Sequence, residues 1–177
     1  MTELSPSPIA DRPAVTDHPA VARVRTVLAE QGTPGRIVVL DEHARTAVAA
    51  AEQLGVTVAQ VANSLIFAVP DPGTDGGRRA LLVLTSGAHR VDTAKVAALV
   101  DAPRLDRADA DFVREQTGFA IGGVAPVGHT TSVQTLVDTA LAEHDEVWAA
   151  AGHSRTVFPT SFAELVRITG GTPADVA

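Results

Sequence analysis

The chain has 177 residues, of which 45% are hydrophobic and 3% aromatic, and it contains no cysteine. This length fits one domain with a full apolar core. Without cysteine, disulfide bonds, cysteine-ligated zinc or iron–sulfur sites and a thiol nucleophile are excluded, and a cytoplasmic protein is expected. The 21 acidic and 14 basic residues give a net charge of −7, which argues against a broad basic surface for DNA or a membrane.

The N-terminal segment 1–16 is predicted to be a disordered tail, followed by a domain over 17–177. Its first 13 residues are polar and contain three prolines, without the basic start and apolar run of a signal peptide. Asp17 is predicted to cap a first helix, with Pro19 in the first turn and Gly32 at its end.

The next part of the chain alternates short apolar runs with helical patterns. The run Arg36–Leu40 predicts a strand, and the alanine-rich segment Ala44–Leu54 predicts a helix. Two further apolar runs, Ser64–Val69 and Ala80–Thr85, are separated by a Pro- and Gly-rich turn, so they are predicted to form a β-hairpin.

In the second half, aspartates at 92 and 109 predict the starts of two helices, and Ser161 with Glu164 matches a capping box that opens a last helix. Three more strands are predicted at Ser132–Val137, Val147–Ala151 and Thr156–Phe158, and a short helix is predicted near Ala140. The last two strands are predicted to pair as a second hairpin. Hairpins mixed with helices, without a regular βαβ repeat, predict an α+β (mixed α/β) fold in one domain.

Common catalytic and nucleotide-binding motifs are missing from the chain. There is no G-x-G-x-x-G, G-x-x-x-x-G-K-[ST], H-E-x-x-H or G-x-S-x-G pattern. The six histidines lack close metal-ligand spacing, so no metal and no other cofactor is expected, although distant histidines could still assemble a site. A triad built on Ser64 or Ser86 also stays open, because sequence does not show spatial adjacency.

Three segments carry the candidate chemistry: V-A-N-S-L-I-F from Val61, G-F-A-I-G-G-V-A-P-V-G-H from Gly118, and V-W-A-A-A-G-H from Val147. Asn63 and Ser64 begin an apolar strand, where they either cap backbone groups or face a ligand. The glycine-rich loop is either an ordinary turn or a set of exposed amides that bind a carbonyl or carboxylate. Trp148 fits a core position, and His153 either a solvated turn or a site.

In order and spacing, these segments resemble the YbaK/EbsC family, which comprises aminoacyl-tRNA deacylases and the editing domain associated with prolyl-tRNA synthetase. The resemblance runs from about Arg36 to Thr169, and G-G-V-A-P-V-G followed by V-W-x-x-x-G is its strongest part. It implies a mixed, largely antiparallel and partly barrel-like sheet surrounded by helices. It also implies hydrolysis in trans of the ester of mischarged tRNA, with mischarged tRNA-Pro as one candidate, by a water assisted by the substrate's ribose hydroxyl.

The resemblance also implies a pocket. Its catalytic residues would be Asn63, Gly123 and His153, with the loop backbone polarising the aminoacyl carbonyl. His129 or His153 would be candidates for proton transfer. The substrate-binding residues would be Ser64, Arg90, Gly122, Val124, Pro126, Gly128, His129 and Gly152.

Asn63 departs from the family pattern, which usually has lysine at that position. An asparagine still donates hydrogen bonds, but without charge assistance. Arg90 is the candidate to compensate. Two alternatives therefore stay open: a non-catalytic protein that binds an amino acid, an aminoacyl group or a synthetase, and a hydrolase of another small ester.

The negative charge is uneven along the chain. Residues 137–177 contain six acidic and two basic residues, whereas residues 1–100 are nearly neutral. The charge pattern therefore allows a local contact with the acceptor end of an aminoacyl-tRNA, with few phosphate contacts and a shallow salt dependence.

Overall fold

The computed structural model describes residues 14–33 and 36–177. The predicted tail thus lies largely outside the described residues, which begin just before a 3-10 turn at Val15–Asp17. Within the described ranges the α-helices are α1 (Pro19–Glu30), α2 (Ala47–Leu54), α3 (Thr93–Leu99), α4 (Ala110–Thr117) and α5 (Phe162–Thr169). The strands are β1 (Val38–Val39), β2 (Val61–Pro70), β3 (Arg78–Ser86), β4 (Asp106–Arg107), β5 (Gln134–Asp138), β6 (Val147–Ala150), β7 (Thr156–Thr160) and β8 (Thr172–Ala174).

Side-chain caps start most of these helices as the sequence predicts. Asp92, Asp109 and Ser161 each accept a hydrogen bond from an amide in the first turn of α3, α4 and α5. The predicted cap of α1 is wrong, because Asp17 belongs to the preceding 3-10 turn. His18 caps α1 instead, and its Nδ1 accepts the Ala20 amide at 3.2 Å.

The strands form one mixed sheet in the order β1-β7-β6-β2-β3-β5-β8, with β4 paired to β2. Both predicted hairpins, β2 with β3 and β6 with β7, are antiparallel, whereas β6 with β2, β3 with β5 and β5 with β8 are parallel. The α+β fold with a largely antiparallel mixed sheet is confirmed. The sheet is open and not a closed barrel, since β1 and β8 are its two edges.

Alternation along β3 divides the core between the two faces of the sheet. Leu82 and Leu84 belong to the larger apolar cluster, which also contains residues of α1, α4 and α5. Leu81 and Val83 belong to a second cluster with Val96 of α3. Among the residues that the structure describes, no helix is both long enough and apolar enough to span a bilayer.

Candidate active site

The sheet is interrupted at β2, and this interruption positions the candidate site. One edge of β2 pairs with β3 along Ala62–Pro70. The other edge pairs with β6 only at Val61 and Ala62, and with β4 only at Phe67 and Ala68. Residues 63–66 therefore lie in a gap between two neighbours, where peptide groups of alternate residues point into open space.

A cavity of about 360 Å³ opens at this gap. It brings together five of the residues singled out in the sequence, namely Asn63, Ser64, Gly122, Val124 and His153. They come from β2, from the loop between α4 and β5, and from the turn between β6 and β7. We call this space the Asn63 cavity.

The polar atoms of the Asn63 cavity are largely without protein partners. Within the described residues, the side-chain amide of Asn63 makes no hydrogen bond, and the Ser64 hydroxyl is buried without a partner. The indole Nε1 of Trp148, another wall residue, is likewise buried with no acceptor in that part of the chain. Because unpaired buried polar groups are costly, a polar ligand would satisfy the Ser64 hydroxyl and the Trp148 indole, and the half-buried Asn63 side chain lines the same cavity.

A second cavity of about 440 Å³ adjoins the first, and the two share Ser64, Leu65, Ile121, Gly122 and Val124. Its remaining wall is mostly apolar and includes Ile66, Phe67, Leu105 and Val113. We call it the apolar cavity. Its walls fit an apolar side chain better than a charged one.

The glycine pair of the loop is explained by contacts within the protein. A β-carbon on Gly123 would lie 2.9 Å from the His153 Cα, and one on Gly122 would lie 3.1 Å from the Arg45 Cγ. Gly122 also has a φ of +93°, which glycine adopts without strain. The pair therefore lets the loop pack directly against the β6–β7 turn and Arg45.

The amides of this loop are not equally available. The Gly123 amide donates to the Ala120 carbonyl at 3.0 Å. The Gly122 and Val124 amides donate to no other group of the described residues. If the loop backbone polarises a carbonyl, the amides of Gly122 and Val124 are the free donors for it. Gly123 has a packing role.

The far side of the loop is held by α1. Arg23 donates its Nε–H to the Gly128 carbonyl at 2.6 Å and an Nη2–H to the Gly118 carbonyl at 3.2 Å. Its guanidinium also lies over the Phe119 ring, 4.7 Å from the centroid. Sequence reasoning missed this arginine, because only the fold brings α1 and the loop together.

His129, Pro126 and Gly128 lie on this supporting side and do not line the Asn63 cavity. His129 donates its Nε2–H to the Ala125 carbonyl at 2.7 Å. Burial lowers the pKa of His129, and the nearby Arg23 charge acts in the same direction. His129 is half-buried and bonded within its own loop, and it therefore stabilises the conformation of that loop.

His153 lines the cavity at the β6–β7 turn. Its Nδ1 accepts the Arg155 amide at 3.1 Å, which leaves the proton of the neutral ring on Nε2. Partial burial lowers the pKa of His153, and its neighbours, including the charged Arg155 and Arg45, act in the same direction. Near neutral pH His153 therefore presents an N–H donor.

The two remaining predicted residues lie outside the Asn63 cavity. Arg90 is exposed in the turn before α3 and does not reach it. Gly152 packs on the start of α1, where a β-carbon would lie 2.9 Å from the Ala20 carbonyl carbon. Conversely, Arg45 lines the cavity although it stands in none of the three motif segments, and Ile121 of the glycine loop lines it too.

Comparison with known proteins agrees with this architecture. Residues 41–168 match the family model of the aminoacyl-tRNA editing domain. Protein YwhH of Bacillus subtilis (strain 168), which is uncharacterized, is 25% identical over 142 residues, covering 80% of this chain and 86% of YwhH. Proline–tRNA ligase of Bacillus licheniformis is 33% identical over 106 residues, which cover 54% of this chain but 18% of the ligase.

Among solved structures, a candidate trans-editing enzyme for prolyl tRNA synthetase is 40% identical, with a TM-score of 0.79 over 89% of this chain and 96% of that one. The hypothetical protein APE2540 is 29% identical, with a TM-score of 0.75 over 87% of this chain and 98% of that one. The sequence match and the shared architecture cover the gap in β2 and the loop that faces it. The chain belongs to the family of YbaK-type aminoacyl-tRNA editing domains.

Proposed function

We propose that this protein is a trans-acting deacylase that hydrolyses the ester between a wrongly attached amino acid and the terminal ribose of tRNA. One observation carries the proposal: unpartnered donors from β2 and the glycine loop, together with the His153 N–H, line one cavity at the gap in the sheet. Mischarged tRNA-Pro is the first substrate to test, because a ligase for proline and a candidate prolyl trans-editing enzyme are among the relatives.

In this proposal the aminoacyl carbonyl oxygen accepts hydrogen bonds from the free amides of Gly122 and Val124, which stabilise the negative charge that develops during attack. The Asn63 amide and the His153 Nε2–H donate to the ribose oxygens. The Ser64 hydroxyl accepts a hydrogen bond from the substrate's α-ammonium group. The side chain of the attached amino acid enters the apolar cavity.

A water molecule is the nucleophile, and the neighbouring ribose hydroxyl positions it and relays its proton. The acyl–oxygen bond breaks, the ribose oxygen takes up a proton, and the products are the free amino acid and uncharged tRNA. No Asp or Glu is among the described residues that line the Asn63 cavity. This supports substrate assistance over a carboxylate base.

The test is to incubate the purified protein with a panel of mischarged and correctly charged tRNAs and to follow release of the labelled amino acid. We expect acceleration for at least one mischarged tRNA and none for its correctly charged counterpart. If no member of the panel is hydrolysed faster than in buffer, the proposed activity is wrong.

A second candidate is a non-catalytic binding protein for an aminoacyl group or a synthetase. It is favoured by one observation, the uncharged Asn63 at the mouth of the cavity. Tight binding of a non-hydrolysable aminoacyl-adenosine analogue, combined with no hydrolysis of any mischarged tRNA, would support this candidate.

A further inference from the structure

A third cavity, of about 340 Å³, adjoins the Asn63 cavity and has a different chemical character. The two share Arg45, Ile121, His153 and Ser154. Three histidines and two arginines line the third cavity, namely His18, His43, His153, Arg45 and Arg114. We call it the histidine–arginine cavity. Among the described residues that line it there is no Asp or Glu, although the protein carries a net charge of −7.

The three imidazoles are close together, and each makes its hydrogen bond within the protein through Nδ1. The His153 ring centroid lies 5.4 Å from that of His18 and 5.6 Å from that of His43. The Nδ1 of His18 accepts the Ala20 amide, that of His153 accepts the Arg155 amide, and that of His43 bonds to the Ser154 hydroxyl. The Nε2 atoms are therefore left to meet a ligand.

These groups favour an anion over a cation. Within the described residues, no group of three or more His, Asp or Glu side chains is arranged to hold a metal ion. Partial burial lowers the pKa of His153, and the charged guanidinium groups of Arg155 and Arg45 act in the same direction, so the potential at this wall is positive. Nothing in the described lining neutralises it.

The backbone adds to this positive potential. Ala20, in the first turn of the 12-residue α1, lines the cavity, and a helix N-terminus carries partial positive charge. Gly118, Gly123 and Gly152 also form part of the wall, and in each the side that a β-carbon would occupy is packed against the protein.

We propose that the histidine–arginine cavity binds the phosphodiester group attached to the 5′ side of the substrate's terminal nucleotide. A guanidinium and imidazole N–H groups are suited to a phosphate, because charge-assisted hydrogen bonds to its oxygens are strong. The inference rests on the proposed function. In a terminal nucleotide only the ribose separates the ester from this phosphate, and only one shared wall separates the two cavities.

Arg114 is the residue of choice for the test. It is exposed on α4 and lines this cavity but neither of the other two, and its side chain makes no hydrogen bond to another described residue. Arg114→Gln therefore removes the charge without disturbing the ester-binding groups. Arg104→Gln is the matched control, since Arg104 is exposed and, among the described residues, pairs only with Asp106.

The experiment compares two mischarged substrates: a short 3′-terminal oligonucleotide that carries its phosphates, and an aminoacyl-adenosine that has none. We expect Arg114→Gln to raise KM at least about tenfold for the oligonucleotide and to leave kcat/KM for the aminoacyl-adenosine unchanged. Arg104→Gln should leave both unchanged. An equal loss on both substrates, or no loss on either, would overturn the phosphate assignment.

A binding measurement separates this inference from the proposed function. Adenosine 5′-monophosphate and adenosine are titrated into the wild-type protein and Arg114→Gln. Tighter binding of the monophosphate, lost in Arg114→Gln, supports the phosphate site even if no ester is hydrolysed. Hydrolysis together with equal binding of adenosine and its monophosphate would support the deacylase and reject the phosphate site.

Discussion

The Cα of Gly123 faces the backbone of His153 so closely that any β-carbon there would meet three main-chain atoms at 2.9–3.0 Å. This contact joins the glycine loop to the β6–β7 turn and fixes the distance between two walls of the Asn63 cavity. The loop and His153 are therefore one structural unit, and changes at either position are expected to act on the other.

Gly123→Ala tests this unit directly. The added methyl group must push the loop away from His153, since main-chain atoms cannot rotate aside, and overpacking of this kind costs about 1–3 kcal/mol. We expect a lower melting temperature and at least a tenfold loss of kcat/KM. Gly73→Ala is the control, because its β-carbon would meet only the Asp71 side chain, at 3.3 Å. Full activity in Gly123→Ala would contradict the proposed unit.

Asn63→Ala tests the donor at the gap in β2. Because the Asn63 amide has no partner in the described protein, its removal should leave the melting temperature nearly unchanged. Loss of one transition-state donor typically lowers the rate about 100–1,000-fold, and we expect kcat to fall by that order. Gln134→Ala, at the exposed start of β5, is the control. Unchanged turnover in Asn63→Ala would remove this residue from the mechanism.

Arg23→Ala tests the support of the loop by α1. The change removes two hydrogen bonds to loop carbonyls and the contact with Phe119, so the segment 118–128 should exchange its amide hydrogens faster. Arg25→Ala is a control on the same helix, because the Arg25 side chain bonds only to the Thr16 carbonyl within the part of the chain that the structure describes. Equal exchange in the two variants would show that Arg23 does not hold the loop.

The half-buried His129 predicts a pH dependence of stability. Burial lowers the pKa of His129 in the folded state, so the unfolded chain takes up a proton more readily near its ordinary value of about 6.5. Stability from this residue is therefore complete above about pH 7 and is lost as the pH falls below the unfolded value. As the pH is lowered from 8 to 5, the melting temperature of His129→Gln should fall less steeply than that of wild type or His144→Gln. An identical slope in all three proteins would contradict this.

Asp138 predicts a strong effect on stability. It is fully buried and accepts hydrogen bonds from the Thr85 hydroxyl, the amides of Ser86 and Ala140, and Nδ1 of His89. Asp138→Ala leaves several of these donors without a partner, at about 1–3 kcal/mol each. We expect a large fall in the free energy of unfolding by urea denaturation. Asp145→Ala, on an exposed turn, should have little effect, and similar values for the two would refute this role.

Local chemistry explains which parts of the fold were predictable. Asp92, Asp109 and Ser161 cap helices through their own side chains, and Gly118 ends α4 in the left-handed conformation, so each signal lies within a few residues of its effect. The parallel pairing of β2 with β6 joins residues more than 80 positions apart, and no local pattern specifies it. Strands β4 and β8, with two and three residues, are too short to show a period.

The site was predictable to the extent that its residues share short motifs. Asn63, Ser64 and His153 stood out in segments that resemble a known family, and the fold brings them to one cavity. His18, Arg45 and Arg114 stand in no motif. Only the fold, which brings the start of α1, the segment before α2 and α4 around the loop, places them beside His153. The sequence also does not show why glycine is required at position 123, because the residue it packs against, His153, is 30 residues away.

The gap in β2 also limits which strands of another chain could extend the sheet. A strand with unpaired peptide groups ordinarily invites another chain to extend the sheet, and that is a route to aggregation. Here the unpaired stretch 63–66 is bounded by β6 at one end and by β4 at the other. An incoming strand of ordinary length cannot align between them, so these peptide groups stay open to a small ligand and closed to a second sheet.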